Sequence, residues 1–146
     1  MACESRSPVV SAAHVELFAA NRVVIVPAGI GLKPPLRIRG ARIRAGRCAY
    51  PLRTLDPTGL ILLGSGGPYT LGDLFDIWGQ PLGRTVMAGF HASSRGRVSV
   101  FVDGAPWHGD PPAAPLAPGS QITVEVGARV PPHAGYTFPS LAWARS

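Results

Sequence analysis

The chain is short of charge, of lysine, of cysteine and of long apolar runs, and each shortage excludes something. Asp, Glu, Lys and Arg make up 15% of the 146 residues, against about a quarter in an average globular domain. A charge-rich disordered chain is therefore excluded. Lys33 is the only lysine among 14 basic residues. Two cysteines, Cys3 and Cys48, permit one disulfide at most, and their spacing is not that of a zinc site. No apolar run reaches the roughly 18 residues that a membrane-spanning helix needs, and the first residues, with no basic stretch leading into an apolar one, do not read as a signal peptide. Nucleotide fingerprints are missing as well. Gly64-Ser65-Gly66-Gly67 lacks the G-K-[ST] and G-x-G-x-x-G patterns, and Ser65 lacks the G-x-S-x-G elbow, so the stretch reads as a turn.

Turn formers are plentiful instead. The chain holds 18 glycines and 16 prolines, about twice the usual share. With 46% hydrophobic residues, this composition fits short strands joined by many turns rather than a helical bundle. The length suits one domain with one core, large enough to fold without metal or disulfide.

Periodicity places the elements. His14–Phe18 and Arg22–Val26 are β-prone runs separated by Ala19-Ala20-Asn21, and asparagine tolerates a left-handed turn, so a hairpin is predicted. Leu36–Ala45 alternates with period two, which groups its arginines on one face, and Gly40 marks a turn or bulge. Leu60–Leu63 is a short buried strand. Thr70–Trp78 is the clearest helix: Thr70 can cap it with Asp73 returning the bond, and Leu71, Leu74, Phe75 and Trp78 share one face. Gly79 and Pro81 stop it. Val98–Val102 and Ile122–Val126 alternate as late strands, with a turn at Asp103-Gly104 after the first. One helix laid across a mixed sheet is an α+β layout, and the β-grasp arrangement is its nearest match, with a small barrel or sandwich as the alternative. Residues 1–12 read as a flexible lead and residues 13–146 as a single β-rich domain.

The charge is lopsided. The net charge is +6 and the isoelectric point about 10.4. Arg37, Arg39, Arg42, Arg44, Arg47 and Arg53 fall within 17 residues, a density suited to phosphate, an anionic lipid surface or an acidic protein partner. An RNA-binding reading wants aromatic residues among the arginines, and Tyr50 is the only one near, so nucleic acid is the less expected partner. Ala2-Cys3 has the form of a bacterial lipoprotein junction, which makes Cys3 a lipidation candidate on the flexible lead and leaves Cys48 a reduced, buried thiol.

Five blocks together suggest a family: VVIVPAGIG at 23–31, CAYPLRTLDPTGLI at 48–61, YTLGDLFDIWGQPL at 69–82, VFVDGAPWHGDP at 100–111 and PPHAGYTFPSL at 131–141. In that order the chain resembles an uncharacterised bacterial family of extracytoplasmic or membrane-tethered domains. The family's middle block reads close to C-L-x-W-L-H-T-H-D-x-x-G-x-I-H. Cys48, Asp56 and Gly59 match it. Its paired histidines fall on Arg53 and Leu55, and its last on a position near Leu62. The resemblance implies an extracytoplasmic setting, and these departures remove any metal or acid-base role carried by those histidines.

Other candidate chemistry is thin. His14, His91, His108 and His133 lie far apart in sequence. His14 and Cys48 are the pair that a metal-handling reading would use, but two ligands fall short of the three or four usually needed. His108 and Asp110 sit in a Pro-rich loop without a nucleophile. Asp73 and Asp76 suit the helix dipole. Trp107, Tyr136, Phe138 and Trp143 are expected to cap the core. The sequence thus predicts no catalytic residue, no cofactor and no tight metal site. The expected function is a non-enzymatic, lipoprotein-derived, extracytoplasmic accessory or binding domain at a bacterial membrane. The alternatives are a metal-handling domain using Cys48 and His14, and a small basic nucleic-acid-binding protein.

Overall fold

The computed structural model describes residues 1–127 and 135–145. Its elements in chain order are β1 (Val9–Ala19), β2 (Arg22–Val24), β3 (Arg37–Arg39), β4 (Arg42–Ala45), β5 (Leu52–Arg53), β6 (Leu60–Gly64), α1 (Leu71–Trp78), β7 (Val86–Met87), β8 (Phe90–His91), β9 (Val98–Val102), β10 (Ala105–Pro106), β11 (Gln121–Val126) and α2 (Ala142–Arg145).

One seven-stranded sheet organises the molecule, in the order β10-β9-β11-β1-β6-β5, with β2 also paired to β1. β1 is long enough to serve three partners. Its Val9–His14 stretch pairs antiparallel with β6, and Leu17–Ala19 pairs antiparallel with β2 on the same edge. Along the other edge, His14–Ala19 runs parallel to Gln121–Val126 of β11. Along β2-β1-β11-β9-β10 the central pair, β1 and β11, is parallel, and α1 lies in the connection between them. The result is a mixed α+β layout of the expected β-grasp-like kind. The sheet stays open, with β10 and β5 at its ends, so the barrel alternative does not apply.

Local chemistry explains the corners. Ala20 and Asn21 both take positive φ, 50° and 64°, as the two-residue loop between the paired residues Ala19 and Arg22 requires. α1 starts with a full capping box: Asp73 N–H donates to Thr70 Oγ1 at 3.1 Å and Thr70 N–H to Asp73 Oδ2 at 2.9 Å. It ends at Gly79, whose φ of 80° lets its amide reach back to the Phe75 carbonyl at 2.8 Å.

The period-two alternation of the strands divides the core between the two sheet faces. On the helix side, Val15, Leu17, Ile61, Leu63, Ile122 and Val124 pack against Leu71, Leu74 and Phe75, and Trp78 lies half-buried at the edge of this cluster. On the far side, Ala12, Leu60, Leu62 and Leu55 form a smaller cluster that Tyr136, Phe138 and Leu141 of the C-terminal segment cover.

The lead differs from expectation. Cys3 and Cys48 form a disulfide across 45 residues. Glu4 pairs with Ala49 through two main-chain hydrogen bonds of 2.9 and 2.8 Å, and β1 already begins at Val9. Residues 1–12 are therefore built into the domain instead of forming a flexible tether. The physical reason is that the 47–50 segment has a free edge. It already pairs with 31–33 on one side through Arg47 N–H to Lys33 O and Tyr50 N–H to Gly31 O, and the Glu4 segment satisfies its other side.

Candidate functional site

The arginine segment folds as a hairpin that stands apart from the main sheet. Arg39 lies opposite Arg42 and Ile38 opposite Ile43, while a register shift sets Arg37 opposite Ala45. Gly40, with φ 62°, leads the two-residue loop. Arg39 and Arg42 are directly paired and so share a face, which alternation along β4 extends to Arg44, while Arg37 lies beyond the register shift. All four are exposed, as is Arg47. Ile43, on the opposite side, is buried, and its N–H donates to the Leu55 carbonyl at 2.8 Å, which docks the hairpin on the domain. Ile38 departs from the alternation reading and is 68% exposed, because only the β4 half of that face meets the body. Like charges directly opposite on a hairpin are destabilising, so the Arg39–Arg42 pairing costs the free protein stability that a bound anion would return. Asp56 Oδ2 lies 3.8 Å from Arg42 Nε. Among the described residues no acidic side chain forms an ion pair with Arg37, Arg39, Arg44 or Arg47.

Arg53 does not belong to that surface. It is buried, and its guanidinium donates to the Tyr50 carbonyl at 3.1 Å and to the Ser7 carbonyl. Desolvation lowers its affinity for its proton. Two carbonyl acceptors compensate the burial and tie the N-terminal segment to β5. The basic face expected from sequence therefore loses its last member to a structural role.

Cys48 and His14 cannot share a metal. Cys48 is neither reduced nor fully buried: its sulfur is bonded to Cys3, which leaves no thiolate to act as a ligand. The same bond occupies Cys3, and a sulfur in a disulfide cannot also carry the thioether of a lipid anchor. The lipidation reading of Cys3 is thus incompatible with this fold. His14 is buried, with Nε2 2.8 Å from the Thr58 carbonyl. A carbonyl only accepts, so Nε2 carries the proton. The imidazole stacks on Tyr136 with ring centroids 3.7 Å apart, and Phe138 meets Tyr136 edge-on at 5.2 Å. Burial lowers the His14 pKa below its ordinary value. The ring is a packing element that holds the C-terminal segment on the sheet, helped by Gln121, whose side-chain amide brackets the Tyr136 main chain at 2.9 and 3.2 Å.

Residues of the 52–59 turn have structural roles of the same kind. Asp56 Oδ1 accepts from Thr58 Oγ1 at 2.5 Å and from Thr58 N–H at 3.3 Å, closing the turn. Gly59 has φ 81°, and a Cβ there would lie 2.3 Å from the Val15 carbonyl and 3.0 Å from His14 Nε2. Only glycine lets this turn press onto β1. Leu55 is core.

The remaining candidates stay apart. His91 and His108 are exposed, and Asp110 pairs with Arg84 at 2.7 Å. Ser65 only closes a turn, its carbonyl accepting from Tyr69 Oη at 2.5 Å. Asp76 is exposed on α1. Trp107 packs partly into the main core. His133 and the side chain of Trp143 lie outside the described residues. Among the described residues no group of three His, Cys, Asp or Glu could hold a metal ion, and no helix is long and apolar enough to cross a membrane.

A cleft that the sequence did not signal lies beside the disulfide. It is an open cleft of about 370 Å³ between the 27–33 loop, Tyr50 and the end of α1 at Ile77 and Trp78. Comparison with protein-family models, curated proteins and solved structures finds no match.

Proposed function

We propose that the chain is a non-enzymatic binding domain of an oxidising, extracytoplasmic compartment, which uses its arginine hairpin to hold an anionic membrane surface. The observation that carries this reading is the exposure of Arg37, Arg39, Arg42 and Arg44 on one short hairpin, with Arg39 and Arg42 directly paired. Each arginine near an anionic bilayer contributes about 1 kcal/mol of attraction, so four acting together bind where one would not. The disulfide supports the compartment, since such bonds persist outside the reducing cytosol. Guanidinium groups suit phosphate because their planar fork meets two oxygens at once. The hairpin itself carries no aromatic residue, which favours a charged lipid surface over single-stranded nucleic acid, whose bases need stacking partners.

Co-sedimentation of the oxidised chain with vesicles tests this. Binding to phosphatidylglycerol vesicles, with none to phosphatidylcholine vesicles, is expected at low salt. It should be lost when Arg37, Arg39, Arg42 and Arg44 are all changed to Gln. It should also fade as salt shortens the Debye length from about 10 Å at 0.1 M to about 3 Å at 1 M. Absence of binding at low salt, with retention of an oligonucleotide instead, overturns the membrane reading.

A further inference from the structure

We infer that the cleft between the 27–33 loop and the C-terminal end of α1 binds a small anion with an apolar ring body. Its volume of about 370 Å³ falls in the range of small-ligand sites. The cleft is held open by the chain rather than by chance packing. Thr54, fully buried, fixes the loop four ways: its Oγ1 donates to the Pro27 carbonyl at 2.7 Å and accepts from Ile30 N–H at 3.1 Å, its main-chain carbonyl accepts from Gly29 N–H at 2.9 Å, and its N–H donates to Ile30 O at 3.0 Å. A Cβ at Gly31 would sit 2.0 Å from the Leu52 carbonyl, so only glycine lets the loop press against β5. On the opposite wall, Gly79 ends α1 directly after Trp78. That leaves the indole half-buried, tilted against Phe75 with centroids 5.3 Å apart.

Two partly exposed aromatic side chains, Trp78 and Tyr50, line the same cleft with Ile77 and Ile30. Such walls bind flat apolar groups. Lys33 is the one charged residue in the lining, and no acid faces it there. Its backbone is locked by Lys33 N–H to Cys48 O at 3.1 Å and Arg47 N–H to Lys33 O at 2.7 Å. An ammonium on a flexible stem is a movable point charge that suits a single carboxylate. At the end of α1 the amides of Gly79 and Gln80 bond the Phe75 carbonyl at 2.8 and 3.0 Å, and Gly79 also bonds the Asp76 carbonyl at 3.1 Å. The ligand therefore lies with its ring toward Trp78 and its carboxylate toward Lys33. This site shares no arginine with the four-residue membrane face, and the two readings stand or fall separately.

Naphthoate and its neutral counterpart naphthylmethanol serve as probes, followed by amide and indole NMR on the oxidised full chain. Naphthoate should shift the Gly29, Gly31 and Trp78 indole signals saturably, and naphthylmethanol should bind about fivefold more weakly, the factor for one exposed ion pair. Lys33 is exposed, so Lys33→Met should fold normally, erase that difference and leave the neutral probe unchanged. Tyr50→Ser should weaken both probes. The quadruple Arg→Gln hairpin variant should still bind. No saturable shift at these signals overturns the inference. So does equal affinity for the two probes in the unmodified chain, or loss of naphthoate binding in the hairpin variant alone.

Discussion

Removing the Cys3–Cys48 bond is the perturbation whose size follows most directly from the structure. The bond closes 45 residues of chain. Loop-closure entropy for that length is about 13 cal/mol/K, or about 4 kcal/mol at room temperature. The loop it closes contains β1 to β4, including the central strand, so its restriction acts on the denatured chain as a whole. Against a typical stability of about 5–15 kcal/mol, this is a large share. The Cys3→Ser/Cys48→Ser double variant should therefore unfold at a urea midpoint about 2 M lower, taking an m-value of about 2 kcal/mol/M. Amide exchange should localise the native-state change. Glu4 and Ala49, paired at the bond, should lose protection, while Val15 and Val124 keep theirs. The reasoning fails if the double variant lies within about 1 kcal/mol of the oxidised protein. It fails equally if thiol titration of the folded, air-oxidised chain finds two free sulfhydryls.

Two further outcomes concern the two faces of the sheet. Phe75 is 1% exposed, so Phe75→Ala should cost about 3–5 kcal/mol in urea unfolding; a cost below about 1 kcal/mol would mean that α1 does not pack on the sheet. His14 has its pKa lowered by burial, so the unfolded chain binds more protons than the folded one between the two pKa values, and stability rises with pH there. It should be fully present above the unfolded value of about 6.5 and fall as pH drops toward the folded pKa. His14→Gln should flatten this part of the urea-midpoint profile, and an unchanged profile would contradict the buried, neutral ring.

How much of this was legible in the sequence depends on the range of the cause. α1 was readable because its signals are local: Thr70, Asp73 and Gly79 sit within one helix, and each does in space what its spacing implies. The Arg22 hairpin and the alternating strands were readable for the same reason. The disulfide was not. Two cysteines 45 residues apart carry no spacing signal, and only the pairing of Glu4 with Ala49 brings them together. Arg53 looked like a sixth surface arginine because alternation cannot reveal that Ser7 and Tyr50 carbonyls wait for it. Tyr136 was expected to cap the core, but its stack on His14 depends on a segment more than 100 residues away. The cleft is legible only in three dimensions, since it forms where a glycine-rich loop, one tyrosine and a helix end happen to meet.

The most direct test of the proposed role is which face of the protein meets an anionic bilayer. Ala41 is exposed at the tip of the arginine hairpin, between Arg39 and Arg42. A tryptophan placed there by Ala41→Trp reports burial by a blue shift of its emission. Phosphatidylglycerol vesicles should produce that shift, phosphatidylcholine vesicles should not, and high salt should reverse it. A matching Val23→Trp reporter on β2, 71% exposed in the native residue, should not respond. Vesicle binding with a silent Ala41→Trp reporter, or with the response at Val23→Trp instead, would contradict the arginine hairpin as the binding face.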